Sequence, residues 1–357
     1  MAMEQDLVDR LRNVNFPGID RDIVALGYVK GVRIEGDGFR IHVELSPTAA
    51  AARDEIEGRI HAELGQLGVQ YDLDLRVQEP KPGAGVGGPA GQGRAEPAPE
   101  PDPLGYIPIK IAVSSGKGGV GKSTVAVNLA LAFAKLGKRT GLLDVDIYGP
   151  SVPIMLGLED EEPMLDEARQ KLIPMERYDV KNMSIGYMVD RHTPVIWRGP
   201  MMTKAIDQLM RDVAWDGVEV LVFDLPPGTG DVQLSLAQKV RLSGAVVVTT
   251  PQDVALVDAG RGVAMFEKTD VRVLGIVENM SYFLCPDCGG RHFIFGEGGG
   301  QREATRLGVP FLGQIPIDAR IGQGGDAGKP IVFEHPESPA ADAFAEIAKS
   351  VLATVEG

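Results

Sequence analysis

The segment Gly116-Lys117-Gly118-Gly119-Val120-Gly121-Lys122-Ser123-Thr124 limits what this chain can fold into more than any other part of it. It keeps the GxxxxGKS/T spacing, follows the apolar run IKIAVSS and leads into VAVNLALAFAKLG, so a buried strand, a tight loop and a helix are expected in that order. Glycines let the backbone turn its N–H groups onto phosphate oxygens, and the start of a helix adds partial positive charge there. In such a loop Lys122 reaches the β and γ phosphates of a nucleotide, and Ser123 is a Mg²⁺ ligand. A glycine-rich turn without a ligand is the competing reading, and the flanking strand and helix weigh against it.

Four further runs, RTGLLDVD, VEVLVFD, GAVVVTT and RVLGIVEN, alternate with helical stretches downstream. They are continuous in Val, Ile and Leu, as strands of a parallel sheet are when helices cover both faces. The expected fold class is therefore α/β, a P-loop domain over residues 107–357. Residues 1–78 read as a separate small α+β domain: a helical DLVDRLRNV, strand-like IVALGYVKGVRI and FRIHVEL, a helix from about 49 to 67, and a strand YDLDLRV. Between the two, residues 79–106 are expected to form a flexible Pro/Gly-rich linker. Its first 25 residues hold seven prolines and six glycines, with almost nothing to bury.

Charge narrows the partners. With 36 Lys plus Arg against 50 Asp plus Glu, the formal charge of −14 argues against binding nucleic acid and against a role at a membrane surface. No apolar run approaches the roughly 18–20 residues that span a bilayer, and MAMEQDLVDR lacks the order of a secretory signal, so a cytoplasmic location is expected. In a reducing compartment the two cysteines, Cys285 and Cys288, point to a metal or redox site rather than a disulfide. The five histidines, His42, His61, His192, His292 and His335, are scattered, none at a metal-ligand spacing from another.

Carboxylates fall where nucleotide chemistry needs them. VEVLVFD ends at Asp224, followed by LPPGTGD, which places an acid at a strand's C-terminal edge beside the loop, where the shell of Mg²⁺ is held. RTGLLDVD ends in Asp144 and Asp146, which share one face because strand side chains alternate. A turn or a helix cap is the alternative role for either. Asn279 closes RVLGIVEN, and on its own reads as a strand-ending turn.

Cys285-Pro286-Asp287-Cys288 offers two thiolates, while a tetrahedral zinc site or a cubane cluster needs four ligands. A symmetric dimer would bring two such pairs together and could hold a bridging cluster or zinc. A thioredoxin-like redox pair, which normally precedes a helix, and a pair of inert thiols remain open.

Taken in order, SSGKGGVGKST, LLDVDIYGPS, WRGPM, DLPPGTGD, TTPQDVAL, VENMSYF and CPDCG resemble the Mrp/ApbC-type iron–sulfur cluster carriers of the ParA/MinD-like, deviant Walker A P-loop NTPases. The N-terminal piece resembles the metal–sulfur cluster assembly domain that often precedes them. The resemblance implies a homodimeric ATPase that uses ATP and Mg²⁺, binds a [4Fe-4S] cluster between subunits through Cys285 and Cys288, and passes it to apo-proteins, working with cluster assembly proteins. It implies that Lys117, otherwise a solvated loop lysine, crosses to the nucleotide of the facing subunit. Asp146 would orient the attacking water, Asp144 would support the magnesium shell, and Asn279 would read the adenine edge. Relatives of the N-terminal domain often carry a reactive cysteine after the second strand; LSPTAAAARDE has none, so this domain is expected to bind partners or modulate the ATPase.

Two other functions share the loop. A MinD- or ParA-like positioning ATPase would need a membrane or DNA anchor, and the last segment, ADAFAEIAKSVLATVEG, has one lysine and reads as a packing helix. A small-molecule phosphoryl or ligase enzyme would place a substrate pocket beside Asp146 and use the cysteine pair as a zinc clip.

Overall fold

The structure, a computed structural model, describes residues 2–17, 22–35, 38–45, 49, 52–65, 70–77, 101–188 and 199–357. Residues 79–100 of the expected linker and the Trp197-Arg198 part of WRGPM lie outside the described residues. The chain divides into two compact units, 1–96 and 97–357.

In the first unit, helix α1 (Ala2–Leu11) is followed by strands β1 (Val29–Glu35) and β2 (Gly38–Leu45), helix α2 (Arg53–Leu64) and strand β3 (Tyr71–Val77). The sheet order is β1-β2-β3; the first pair is antiparallel, and the second is parallel because α2 carries the chain across. Ile41, Val43 and Leu45 alternate along β2 to one face and meet Ile56, Ile60 and Leu64, which share a stripe of α2. Only the second half of IVALGYVKGVRI is strand. Residues 23–27 form a turn, held by Asp22 Oδ1 accepting from Ala25 N at 2.7 Å, and Ile23 is buried within it.

The second unit runs β4 (Ile109–Ser114), α3 (Lys122–Lys135), β5 (Thr140–Asp144), α4 (Val152–Met155), a ribbon of β6 (Leu165–Asp166) and β7 (Lys171–Leu172), then β8 (Met175–Arg177), β9 (Val180–Ser184) and α5 (Gly199–Arg211). It continues with β10 (Val220–Asp224), α6 (Asp231–Lys239), β11 (Gly244–Thr249), α7 (Asp253–Lys268), β12 (Val273–Glu278), a ribbon of β13 (Phe283–Leu284) and β14 (Arg291–His292), α8 (Gly299–Leu307), β15 (Phe311–Gln314), α9 (Ala319–Asp326), α10 (Ile331–Glu334) and α11 (Pro339–Glu356).

The main sheet has the order β15-β12-β11-β4-β10-β5-β9-β8, parallel throughout except for β8 at one edge. After β4 the chain moves to β5 on one side, and after β10 it crosses back over β4 to β11. That reversal opens a crevice at the C-terminal end of β4, where open α/β sheets bind ligands. Helix α3 is buried almost all round because the sheet packs on one side and α11, which buries Phe344, Ile347, Ala348 and Val351, on the other. The last segment is thus the packing helix expected, and among the described residues no helix is long and apolar enough to cross a membrane.

The segment 101–106, expected as the end of the linker, is fastened to this unit. Leu104 is buried in the core, and Asp102 Oδ2 pairs with the buried Lys110 Nζ at 3.0 Å, which also donates to the carbonyls of Leu104 and Ile107. A buried lysine needs such partners, and they lie upstream of the first strand.

Candidate functional site

The loop after β4 is shaped by close approach. Gly119 and Gly121 both have φ of +81°. A Cβ on Gly121 would stand 2.2 Å from Asn279 Nδ2, and one on Gly116 would stand 2.0 Å from the Asp258 carbonyl oxygen. Val120 is buried and Lys117 is exposed, while Ser115 Oγ donates to the Lys117 carbonyl at 2.9 Å. The hollow above, of about 230 Å³, is lined by residues 117–119 and 121–124 together with Asp146. Lys122 opens α3, and Ser123 and Thr124 follow in its first turn.

Lys122 Nζ donates to Asp224 Oδ1 at 2.5 Å and to Ser123 Oγ at 3.0 Å, and lies 3.4 Å from Asp146 Oδ2. Parallel register explains the grouping: Asp224 pairs with Asp144 on β5 and with Val113 on β4, so both acids end their strands at one level. Asp144 accepts from Asp146 N at 3.0 Å and Ser184 Oγ at 2.9 Å. Burial, and then the charge of Asp224, push Asp144 up to about 8 against the pull of Lys122. Burial likewise raises Asp224 above the usual carboxylate range, with Lys122 opposing. Among the described residues, Asp224 Oδ2 is buried without a hydrogen-bond partner. Such an atom costs stability unless a ligand supplies a donor, and beside Ser123 it suits water on a hydrated Mg²⁺. Two carboxyl groups, of Asp224 and Asp146, against one ammonium also favour a divalent cation.

Across the loop, Asn279 Nδ2 donates to the Val120 carbonyl at 2.9 Å and its backbone N to Thr249 O at 2.8 Å. The next residue back, Glu278, is fully buried; it accepts from Ser281 Oγ at 2.5 Å, from Gln314 Nε2 at 3.0 Å and from Gly300 N. The end of β12 is thereby clamped to the phosphate loop, α8 and β15 together.

Six positions beyond Asn279 stands Cys285, in the turn that joins β13 to β14. Cys285 N donates to Gly290 O and Gly289 N to Cys285 O, both at 2.9 Å, which folds CPDC into a knuckle. Backbone N–H groups of Cys288 and Asp287 pull the Cys285 thiol below its ordinary range, and the Cys288 side chain adds to this. The pair is half-buried and exposed respectively, and leads into a strand rather than a helix, unlike a thioredoxin-type pair. His292 on β14 closes the group: its ring nitrogen and the two sulfurs lie within 4.8 Å of one another. Arg291 lies over the Tyr282 ring at 4.4 Å, and Leu284, Phe293, Ile294 and Phe295 are exposed around the knuckle.

The family model described as NUBPL iron-transfer P-loop NTPase matches residues 107–352, and one described as iron–sulfur cluster assembly protein matches 4–69. The chain belongs to the NUBPL-type iron-transfer P-loop NTPases. An iron–sulfur cluster carrier protein of Deinococcus radiodurans is 42% identical over 99% of this chain and 96% of its own length. One of Aquifex aeolicus is 52% identical over 69% of this chain and 68% of that protein. A nucleotide-binding protein of Archaeoglobus fulgidus, solved with ADP and with cobalt found in it, is 39% identical with a TM-score of 0.58 over 66% of this chain and 91% of that one.

In this P-loop NTPase the residues singled out by motif gather in two places. Lys117 to Gly119, Gly121 to Thr124 and Asp146 line the phosphate hollow, with Asp224 bonded to Lys122, Asp144 to the Asp146 backbone and Asn279 to the Val120 carbonyl; Cys285 and Cys288 sit on the hairpin downstream. Sequence reasoning missed His292, Glu278 and Ser184. His292 follows Cys288 by four, a spacing readable once the turn is known to double back; Glu278 and Ser184 carry no motif.

Proposed function

We propose that this chain is an ATP-hydrolysing iron–sulfur cluster carrier that takes a [4Fe-4S] cluster as cargo between the Cys285/Cys288 pairs of two subunits and passes it to apo-proteins. The observation that carries the reading is one continuous connection: Asn279 braces the phosphate loop, and the strand it ends runs directly into the thiol knuckle. Family membership favours this over a positioning ATPase, and the formal charge of −14 argues against binding nucleic acid. We place its work in the cytoplasm, without a membrane partner, beside cluster assembly proteins.

In the proposed cycle the loop N–H groups bind the phosphates, and Lys122 exchanges Asp224 for the β and γ phosphate oxygens. Bound Mg²⁺, with Ser123 as ligand and Asp224 holding its water, would neutralise charge on the phosphates. Asp146 orients a water onto the γ phosphorus; that P–O bond forms as the bond to the β-phosphate oxygen breaks, giving ADP and phosphate. Asp144 braces Asp146 through its backbone N–H. Lys117, exposed on the loop, is free to reach the nucleotide of the facing subunit. Asn279 holds Val120 through Nδ2 and so relays a change of loop shape to the knuckle, while its side-chain carbonyl reads the adenine edge.

Iron and acid-labile sulfide after anaerobic reconstitution test the cargo. About four of each per two chains are expected in the wild type, from a cubane cluster held by four thiolates, with loss of both in Cys285→Ala/Cys288→Ala. Equal loading of the double variant would sink the reading.

A further inference from the structure

The thiol knuckle carries one ligand more than a pair-sharing dimer requires. His292 is on β14, and its ring nitrogen, Cys285 Sγ and Cys288 Sγ lie within 4.8 Å of one another in a single chain. Zn–S bonds of about 2.3 Å and a Zn–N bond of about 2.0 Å set neighbouring donors of a tetrahedral ion about 3.5–3.8 Å apart. The three donors therefore have at most about 1.3 Å to draw in, a distance that side-chain rotation at the surface supplies.

The turn is built to leave that space. Gly289 takes φ of +68°, and a Cβ on Gly290 would stand 3.2 Å from Cys288 Sγ and 3.8 Å from His292 Nε2. Both donor atoms thus face the same side of the turn, over a glycine that leaves it clear. Two thiolates and a neutral imidazole carry two negative charges, which one divalent cation cancels; mixed sulfur and imidazole donors select zinc and its neighbours over magnesium or calcium.

We infer that each chain by itself binds one divalent cation of the zinc class through Cys285, Cys288 and His292, with the fourth position open to solvent. The inference rests on reading the cysteine pair as metal-binding, and it adds a consequence for the carrier. A single ion occupies both thiolates that a shared cluster needs, so the ion-loaded and cluster-loaded states exclude each other. The open position is where water completes the tetrahedron.

The test is a titration of the full-length chain, reduced and stripped of metal, with Co²⁺ alone at several chain concentrations under argon. Expected are one Co²⁺ per chain, the intense visible bands of tetrahedral cobalt–thiolate ligation, and an affinity independent of chain concentration. His292→Ala, at an exposed position, should weaken binding at least tenfold, and His292→Cys should restore it. One Co²⁺ per two chains in the wild type, or undiminished affinity in His292→Ala, overturns the three-ligand site. Undiminished binding in Cys285→Ser would instead remove the thiol reading beneath it, so the two failures are told apart.

Discussion

Lys122 is 6% exposed and holds its ammonium against Asp224 and Asp146, so its role begins before any nucleotide arrives. Removing one partner of a buried ion pair costs about 3–5 kcal/mol, because the other charge is left without compensation. Lys122→Ala should therefore lose ATP hydrolysis and also lower the denaturation midpoint of the nucleotide-free protein; adding Asp224→Asn should recover part of the stability and none of the activity. An unchanged midpoint in the single variant would mean that Asp224 takes up a proton at little cost. For Asp146→Asn, turnover should fall about 10²-fold or more, as expected on losing a group that positions or deprotonates the nucleophile, while ATP affinity stays close to wild type. A large rise in Kd would reassign Asp146 to binding.

Asp144 titrates near 8 in the folded chain and near 3.8 when free. Between those values the folded state holds a proton that the unfolded state has released. Its contribution to stability is thus full below about pH 4 and is lost as pH rises through about 8. Asp144→Asn keeps the shape and removes the titration, so thermal midpoints of the nucleotide-free variant should vary less than wild type from about pH 5 to 8. Parallel curves for the two proteins would show that the proton is not on Asp144.

At the scale of elements, the strands β4, β5, β10, β11 and β12 were legible because a strand buried on both faces must be apolar throughout, as Val220 to Phe223 and Val246 to Val248 are. Strands β9 and β15 were not. VKNMS in β9 has Asn182 turned inward to donate to the Met175 carbonyl and to accept from Tyr187, so its polarity hides its burial. FLGQ in β15 is too short to carry a period. The phosphate loop was readable residue by residue, since its chemistry resides in backbone N–H groups that only glycines can present. The brace beneath it was not, because Asn279 acts by reaching the Val120 carbonyl across 159 positions of chain. Asn279→Ala leaves that carbonyl without its donor, a loss of about 1–3 kcal/mol for a buried group. The variant should bind ATP more weakly while keeping its thiols able to take metal. Loss of metal binding alone, with ATP affinity intact, would place Asn279 in the knuckle's support instead.

For the whole molecule, the arrangement of loop, brace and knuckle along one strand end makes a quantitative demand. A carrier must hold its cargo in one state and release it in another, so nucleotide must bind with different affinity to the cluster-loaded and cluster-free forms. Coupling of this kind is reciprocal: whatever factor ATP imposes on cluster affinity, cluster imposes on ATP affinity. Couplings between distant sites typically amount to about 1–3 kcal/mol, or about 5–150-fold. The Kd of a non-hydrolysable ATP analogue, measured with reconstituted and with cluster-free protein, should differ by a factor in that range. Asn279→Ala should shrink the factor towards one even where some binding survives, since the connection from Val120 to Cys285 runs through that side chain. Equal affinities in the wild type would mean that nucleotide and thiols share a domain without sharing a mechanism, and cluster release would then have to be driven by the acceptor alone.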